Sequence, residues 1–265
     1  MSFADDLTVM ILTYNEEQNI GRTLAAVGWA QRILVVDSGS TDSTLDIVAR
    51  YGQARVVTRA FDSFAGQCNF GLTHIATDWV LSMDADYVVS DPLALEIQAL
   101  NPSTETSGYR AAFIYMVHGR RLRATLYPPR TALYRKARAH YQDIGHGHRV
   151  TVTGVTHSLS APIYHDDRKP HARWLASQQR YAAREADYLL STPQAALGRN
   201  DRIRRMGWPA PMLVFVYTLL VKRCILDGWA GWHYVLQRTL AETIIALEVV
   251  DRRLRHMVGG IGRGT

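Results

Sequence analysis

The first hundred residues repeat one pattern: a short apolar run, a polar turn, then apolar positions at helical spacing. Leu7-Thr8-Val9-Met10-Ile11-Leu12 is an uncharged β-type run, followed by Ile20, Leu24, Val27 and Ala30 or Gly28 at helical intervals. Ile33-Leu34-Val35-Val36 is a second strand, and the helix after it runs to about Tyr51. Arg55-Val56-Val57-Thr58 is a third, and a helix over about residues 64–76 leads to Trp79-Val80-Leu81-Ser82-Met83, which ends at Asp84. Continuous rather than alternating apolar runs mark strands covered on both faces. Strand and helix in strict succession with short connections predict an α/β fold with a mostly parallel, doubly wound sheet. Asn15 is placed to cap the first helix, with Glu16 and Glu17 in its first turn, and Ser40 or Thr41 to cap the second.

Further along, Tyr109 to Val117 and Ala132 to Arg135 read as strands on either side of a basic segment. From His171 the chain turns helical to about Leu190, with a loop up to Asn200 and a basic, aromatic-tipped stretch from Asp201 to Pro209. An apolar run of about ten residues from Pro211 stops at Lys222-Arg223, whereas a membrane span needs roughly 20. After a turn at Asp227-Gly228, a helix from about Gly231 to His256 carries Leu236, Leu240, Ile244, Leu247 and Val250 on one stripe.

Composition narrows the class. A 47% hydrophobic, 20% charged chain of 265 residues is globular and far from disorder, with room for one large domain or a domain and an appendage. Two cysteines without a CxxC argue against a disulfide framework or a structural zinc, and the first residues lack the pattern of a signal peptide. Charge is segregated: up to Thr106 there are 14 acids against 5 arginines, while Ser107 to Gln142 holds no acid and seven arginines with Lys136. Such a basic field suits phosphates, anionic lipids or nucleic acid.

The chemistry gathers at strand ends. Asp84 and Asp86 are two residues apart, so extended backbone would return both to one face. Adjacent carboxylates repel unless a cation lies beside them, and a divalent ion holding a phosphate is a common solution. In a parallel sheet Thr13, Asp37 and Asp84 all lie at carboxyl ends, where open α/β sheets bind ligands. No GxGxxG follows the first strand and no GxxxxGK[ST] occurs, which excludes the dinucleotide fingerprint and the P-loop.

Four stretches in order, Ile11-Leu12-Thr13-Tyr14-Asn15-Glu16-Glu17, Val35-Val36-Asp37-Ser38-Gly39-Ser40-Thr41-Asp42, Gly66-Gln67-Cys68-Asn69-Phe70-Gly71 and Leu81-Ser82-Met83-Asp84-Ala85-Asp86, resemble glycosyltransferase family 2. Within it the chain is similar to bacterial lipopolysaccharide-core and exopolysaccharide glucosyltransferases. The resemblance implies a GT-A fold over residues 1–168, with a nucleotide-binding half (1–106), an acceptor half (107–168) and a helical region over 169–265. It implies an inverting enzyme that takes a sugar from a nucleotide-sugar donor, a UDP-hexose, to a glycan or glycolipid acceptor at the cytoplasmic face of the bacterial inner membrane. By the same resemblance Thr13, Tyr14 and Glu16 contact the base, Asp37 holds base or ribose, Asp84 faces the ribose, and Asp86 holds Mg²⁺ or Mn²⁺ on the diphosphate. Asn69 turns either to the nucleotide or to solvent. Tyr127-Pro128-Pro129-Arg130 looks like the family turn that brings Arg130 or Arg135 to the diphosphate, and His165 is a candidate contact to diphosphate or metal. Related enzymes carry a His-Glu pair as general base. This chain has none, which leaves Asp143 and His146 first, then His148. Asp166 or Asp167 could instead cap the helix that follows.

Two other classes compete. Asp84-Ala85-Asp86-Tyr87-Val88 fits the DxDx[TV] of haloacid-dehalogenase-like phosphatases, but those place it on the first strand whereas here it ends the fourth, and no convincing downstream lysine is found among Lys136, Lys169 and Lys222. A non-enzymatic basic scaffold leaves the acidic crevice unexplained, and no nucleic-acid partner is expected. The Trp-rich C-terminal helices suit either peripheral membrane contact or packing, on the catalytic domain or in a homodimer.

Overall fold

The structure, a computed structural model, describes residues 3–123, 126, 128–144 and 147–261. It divides into two compact units: the described residues of Met1–Arg121 and Thr125–Lys169, and those of Leu122–Ala124 and Pro170–Thr265.

In the first unit β1 (Leu7–Thr13), α1 (Ile20–Ala26), β2 (Ile33–Asp37), α2 (Thr44–Val48), β3 (Ala54–Thr58), α3 (Phe64–Thr73) and β4 (Trp79–Asp84) follow the predicted alternation. Then come β5 (Tyr87–Val89), α4 (Asp91–Gln98), β6 (Thr106–Ala111), β7 (Phe113–Val117), β8 (Arg120–Arg121), β9 (Arg130–Arg135), β10 (Ala139–Ile144), β11 (Gly147–Val152), β12 (Val155–Ser158) and β13 (Ile163–His165). Seven strands form the main sheet in the order β12-β6-β9-β4-β1-β2-β3. All run the same way except β9, which is antiparallel to both neighbours. A second sheet has the order β5-β13-β7-β8, and β10 and β11 form a separate hairpin. One apolar layer, with Leu24, Ile33, Trp79, Leu81 and Leu93, covers one face of the main sheet; Met10, Leu34, Cys68, Val80 and Tyr134 belong to the other. That double coverage is why these strands read as unbroken apolar runs.

Three local expectations are revised. The stretch from Tyr109 to Val117 is two strands in two sheets. At Ala112 the chain leaves β9, and the Ala112 carbonyl accepts from Ile163 N of β13 at 2.9 Å. Asn15 does not cap a helix: it is left-handed (φ 53°), and its side chain accepts from Thr41 N at 2.6 Å while α1 starts at Ile20. Neither Ser40 nor Thr41 is the N-cap of α2, which is Ser43, and Asp42 Oδ1 accepts from the first helical amide, Thr44 N, at 3.0 Å. Asp143 and His148 lie opposite each other in the β10–β11 pairing.

The second unit holds α5 (His171–Ser191), α6 (Arg199–Met206), α7 (Pro209–Val216), a π-helical turn (Tyr217–Val221), a 3-10 turn (Cys224–Asp227) and α8 (Gly228–Ile261). Ala182, Ala186 and Leu189 of α5 pack with Ile245 and Val249 of α8. Arg204 lies among buried acids, with Nε 3.0 Å from Glu242 Oε2 and Nη1 3.5 Å from Glu185 Oε1. The stripe read on α8 faces outward at Leu236 and Leu247, while Tyr234, Val235, Ala241 and Val249 are buried.

Candidate active site at the carboxyl edge of the parallel strands

Parallel register brings the strand ends together. Thr13 lies opposite Asp37, and Leu12 opposite Asp84. Thr13 is buried, and its Oγ1 has no hydrogen-bond partner among the described residues. Asp37, also buried, is turned into its own loop. Its Oδ2 accepts from Gly39 N and Ser40 N, both at 2.9 Å, and its Oδ1 from Ser40 Oγ at 2.5 Å. Ser40 Oγ in turn accepts from Asn15 N at 2.8 Å, and Glu16 N donates to Thr44 Oγ1 at 2.6 Å. The loops after β1 and β2 are thereby stitched into one wall.

Asp84 and Asp86 have different surroundings. Asp84 closes β4 half-buried. Asp86 sits in the turn between β4 and β5 and is buried. Antiparallel pairing of β13 with β5 sets His165 opposite Tyr87, and Asp166 N donates to the Asp86 carbonyl at 3.1 Å. His165 Nε2 is then 3.3 Å from Asp86 Oδ2, with its ring against Tyr87 and Tyr115. The chain beyond β13 delivers Lys169, whose Nζ is 2.7 Å from Glu16 Oε1, 3.4 Å from Asp167 Oδ2 and 3.5 Å from Asp86 Oδ2. Asn19 fastens this segment: its Nδ2 donates to Asp167 Oδ1 and its Oδ1 accepts from Arg168 N, both at 3.0 Å. Arg22 adds a bond to the Asp166 carbonyl at 2.7 Å.

These contacts set the charges. Burial opposes ionisation of Asp86, but His165 and Lys169 beside it hold its carboxyl well below the usual range. Burial works against a charged His165, yet Asp86 raises its pKa. For Lys169 burial is outweighed by Asp86, Glu16 and Asp167, which raise its pKa. Burial pushes Glu16 up to about 7, with Asp86 adding to the shift and Lys169 opposing it.

A buried Asp86 Oδ1 has no hydrogen-bond partner among the described residues, an expensive state unless a ligand meets it. Carboxylate oxygen with imidazole nitrogen fits a divalent ion, and the imidazole suits Mn²⁺ better than Mg²⁺. Asp86 and His165 could hold such an ion from one side. Among the described residues no group of three or more His, Cys, Asp or Glu could hold one alone. Phosphate oxygens and water would have to complete the shell.

Other predicted residues fall elsewhere. Tyr14 is half exposed beside Thr13, and Arg130 opens β9 with an exposed side chain at the edge where β4 ends. Arg135 is corrected. It lies opposite Trp79, at the start of β4 and the far edge of the sheet, where it stacks on Trp79, pairs with Asp78 and donates to Thr106 O at 2.9 Å. Asn69 faces neither nucleotide nor solvent. Its amide brackets the Tyr141 backbone, donating to the carbonyl at 3.0 Å and accepting from the N–H at 3.1 Å. Asp143 is exposed, and its Oδ1 accepts from Ala65 N at 3.0 Å in the first turn of α3. His146 lies outside the described residues. Sequence reasoning missed Lys169 as a site residue, although the dense polar run after His165 pointed to the region; the lysine meets the second aspartate of the pair.

A family model described as glycosyl transferase family 2 matches residues 8–151. An uncharacterized glycosyltransferase of Rickettsia bellii is 32% identical over 157 residues, covering 57% of this chain and 51% of its own. The lipopolysaccharide core biosynthesis glycosyltransferase LpsC of Rhizobium meliloti is 32% identical over 111 residues, covering 40% of this chain and 41% of its own. The chain thus spans about half the length of these curated relatives. Among solved structures, S. aureus TarS 1–349 in complex with UDP is similar over 95% of this chain and 91% of that one, with a TM-score of 0.48 and 16% identity.

Proposed function

The chain belongs to glycosyl transferase family 2, and on that premise we propose that it transfers a hexose from a UDP-sugar to a hydroxyl of a cell-envelope glycan or lipid-linked acceptor. Transfer inverts the anomeric centre in one displacement. The observation that carries this reading is Asp86: a buried carboxylate at the carboxyl edge of a parallel sheet, flanked by His165 and Lys169, with one oxygen unpartnered.

Asp86 and His165 would hold Mn²⁺ or Mg²⁺, and the chemistry such an ion would supply is neutralisation of charge on the departing diphosphate. Lys169 keeps Asp86 ionised and Glu16 turned inward. Thr13 and Tyr14 line the base side, and Asp84 faces the ribose. Asp37 acts through its loop, since its oxygens already hold Gly39 and Ser40. Asp143 or His146 takes the acceptor's proton. Asp143→Asn tests that role cleanly, because an amide oxygen still accepts from Ala65 N. Likeness to LpsC supports a lipopolysaccharide-core acceptor, handled at the cytoplasmic face of the inner membrane.

The direct test is thermal unfolding with UDP and Mn²⁺. At a hundredfold excess over Kd, binding stabilises by about 2.7 kcal/mol, a rise of roughly 5–10 °C for a unit of this size. Asp86→Asn should keep its fold and lose the metal-dependent part of that rise. A wild-type protein indifferent to every nucleoside diphosphate with either ion would refute the proposal.

A further inference from the structure

Residues 206–250 expose a surface unlike the rest of the chain. Seventeen of them are exposed, and fifteen of these are large apolar side chains; the others are Gly228 and Arg223. On α7 and the turn after it, Trp208, Met212, Val216 and Leu220 follow at intervals of four, one face of a helix, in a stretch without a charged residue from Pro209 to Val221. On α8, Trp229, Leu236, Leu240 and Leu247 are exposed, Trp229 at 86%. The comparison within the same unit is α5, whose exposed positions include Gln179, Arg180, Arg184 and Asp187. An open cleft of about 370 Å³ is lined by Pro211, Met212, Phe215 and Val216 with Thr239 of α8.

Geometry orients this zone. Its two ends adjoin: a Cβ on Gly207 would come within 3.0 Å of Val250 Cγ2, and Arg253 donates to the Arg205 carbonyl. The chain therefore enters and leaves the apolar zone on one side. Arg202 and Arg205 stand before it, and Arg253 and Arg255 after it. No single helix here is long and apolar enough to cross a membrane, although Pro209–Val221 and Cys224–Val258, which meet at a 65° bend, pass that test as a pair.

We infer that residues 206–250 form a monotopic docking element that sinks into one side of a lipid bilayer, with the arginine border on anionic headgroups. Two observations favour lipid over a second copy of the chain. A dimer seam is a stripe backed by a polar face, whereas here nearly every exposed position is apolar. The border is basic in balance, with Arg202, Arg204 and Arg205 against Asp201 on one side and Arg252, Arg253 and Arg255 against Asp251 on the other, which complements anionic lipid, and exposed tryptophans at Trp208 and Trp229 are the side chains that settle at an interface. Lys222 and Arg223 have stems long enough to keep their charges at headgroup level. The inference is independent of the transferase reading.

The test uses the full chain with sedimenting vesicles of phosphatidylglycerol and phosphatidylethanolamine. The wild type should pellet with them, and brominated lipid in the same vesicles should quench its tryptophan emission. Met212→Asp together with Leu220→Asp, both at exposed positions, should cut the pelleted fraction at least tenfold without changing the circular-dichroism melt. If that pair does not fold, Trp229→Ser alone should still reduce pelleting. A wild type that stays in the supernatant overturns the inference, as does a folded variant that pellets unchanged. So does a detergent-free dimer that the same substitutions convert to monomer with no vesicle binding in either form.

Discussion

Replacing Lys169 with Met removes a charge and leaves the packing volume nearly intact. The side chain is 18% exposed, and the three carboxylates it faces are comparably enclosed: Asp86 at 12%, Glu16 at 13% and Asp167 at 18%. Removing one partner from a buried ion pair costs about 3–5 kcal/mol, because the other charge stays without compensation. Here the loss falls at the lower end. Glu16, with its carboxyl at about 7, can shed its charge by taking a proton, and His165 still faces Asp86. The expected cost is about 3 kcal/mol, which at 2–4 °C per kcal/mol for a unit of this size lowers the first transition by roughly 6–12 °C. Differential scanning calorimetry of wild type and variant at pH 8 measures it. Mn²⁺ should restore part of the loss in the variant and do less for the wild type, since the ion enters a site with one more net negative charge. A Lys169→Met protein within about 0.5 kcal/mol of wild type would show that the lysine does not compensate these carboxylates, and the account of the site would fail with it.

Three further outcomes follow from single contacts. Glu16 has a folded-state pKa raised from 4.5 to about 7, so between those values the folded state holds a proton the unfolded chain has released. Its contribution is present below pH 4.5 and is lost as pH rises through 7; Glu16→Gln should flatten that slope in urea titrations at pH 5, 6, 7 and 8, and an unchanged slope counts against the shift. Asn69→Ala removes the two bonds that its amide makes to the Tyr141 backbone and should cost about 2 kcal/mol, read as an earlier urea midpoint with the same m-value. Arg204→Met removes the cation that faces Glu242 and Glu185, at 2% and 6% side-chain exposure. It should cost about 3–5 kcal/mol in the transition of the second unit, and a small effect there would mean those acids are neutral in the fold.

The parallel core was legible because strands covered on both faces leave uninterrupted apolar runs, and Val9 to Ile11, Ile33 to Val36 and Trp79 to Leu81 are such runs. The same logic placed Thr13, Asp37 and Asp84 along one edge. Three features escaped it for physical reasons. Asn69 spends its amide on backbone groups of Tyr141, 72 residues away, and a side chain that binds backbone leaves no complementary residue to notice. Arg135 follows a motif, but β9 is antiparallel, so its last residue lies at the edge opposite the carboxylates. The orientation of α8 was hidden because two stripes share its helical period. Tyr234, Ala241, Ile245 and Val249 are buried, and Leu236, Leu240 and Leu247 are exposed. Periodicity measures that stripes exist without saying which one meets the protein. The Gln67 to Gly71 motif reads differently once folded. Gln67 Nε2 ties to Ser38 Oγ and the Arg59 carbonyl, and Gly71 leaves no room for a Cβ, 2.5 Å from Met10 Sδ. Those residues hold α3 against the strands, and their link to the site runs through Ser38 beside Asp37.

The two aspartates at the end of β4 owe their difference to where the chain turns. Asp84 is the last residue of a strand in the main sheet, and Asp86 is two residues later, at the point where the chain crosses into the second sheet. Only the second sheet contains β13, so only there can a histidine and, four residues on, a lysine be carried to a carboxylate from 79 and 83 positions away. One spacing of two residues therefore places one carboxylate at the carboxyl edge of the parallel strands and the other among cations at the junction. Lengthening the turn by a residue would leave the β4 run intact and break the pairing of Tyr87 with His165, so the first aspartate would keep its place while the second lost its partners. The pair works as two separate anions in fixed positions rather than as one repelling cluster. Under the proposed function, that separation would let a divalent ion approach Asp86 while Asp84 stayed available to the ribose.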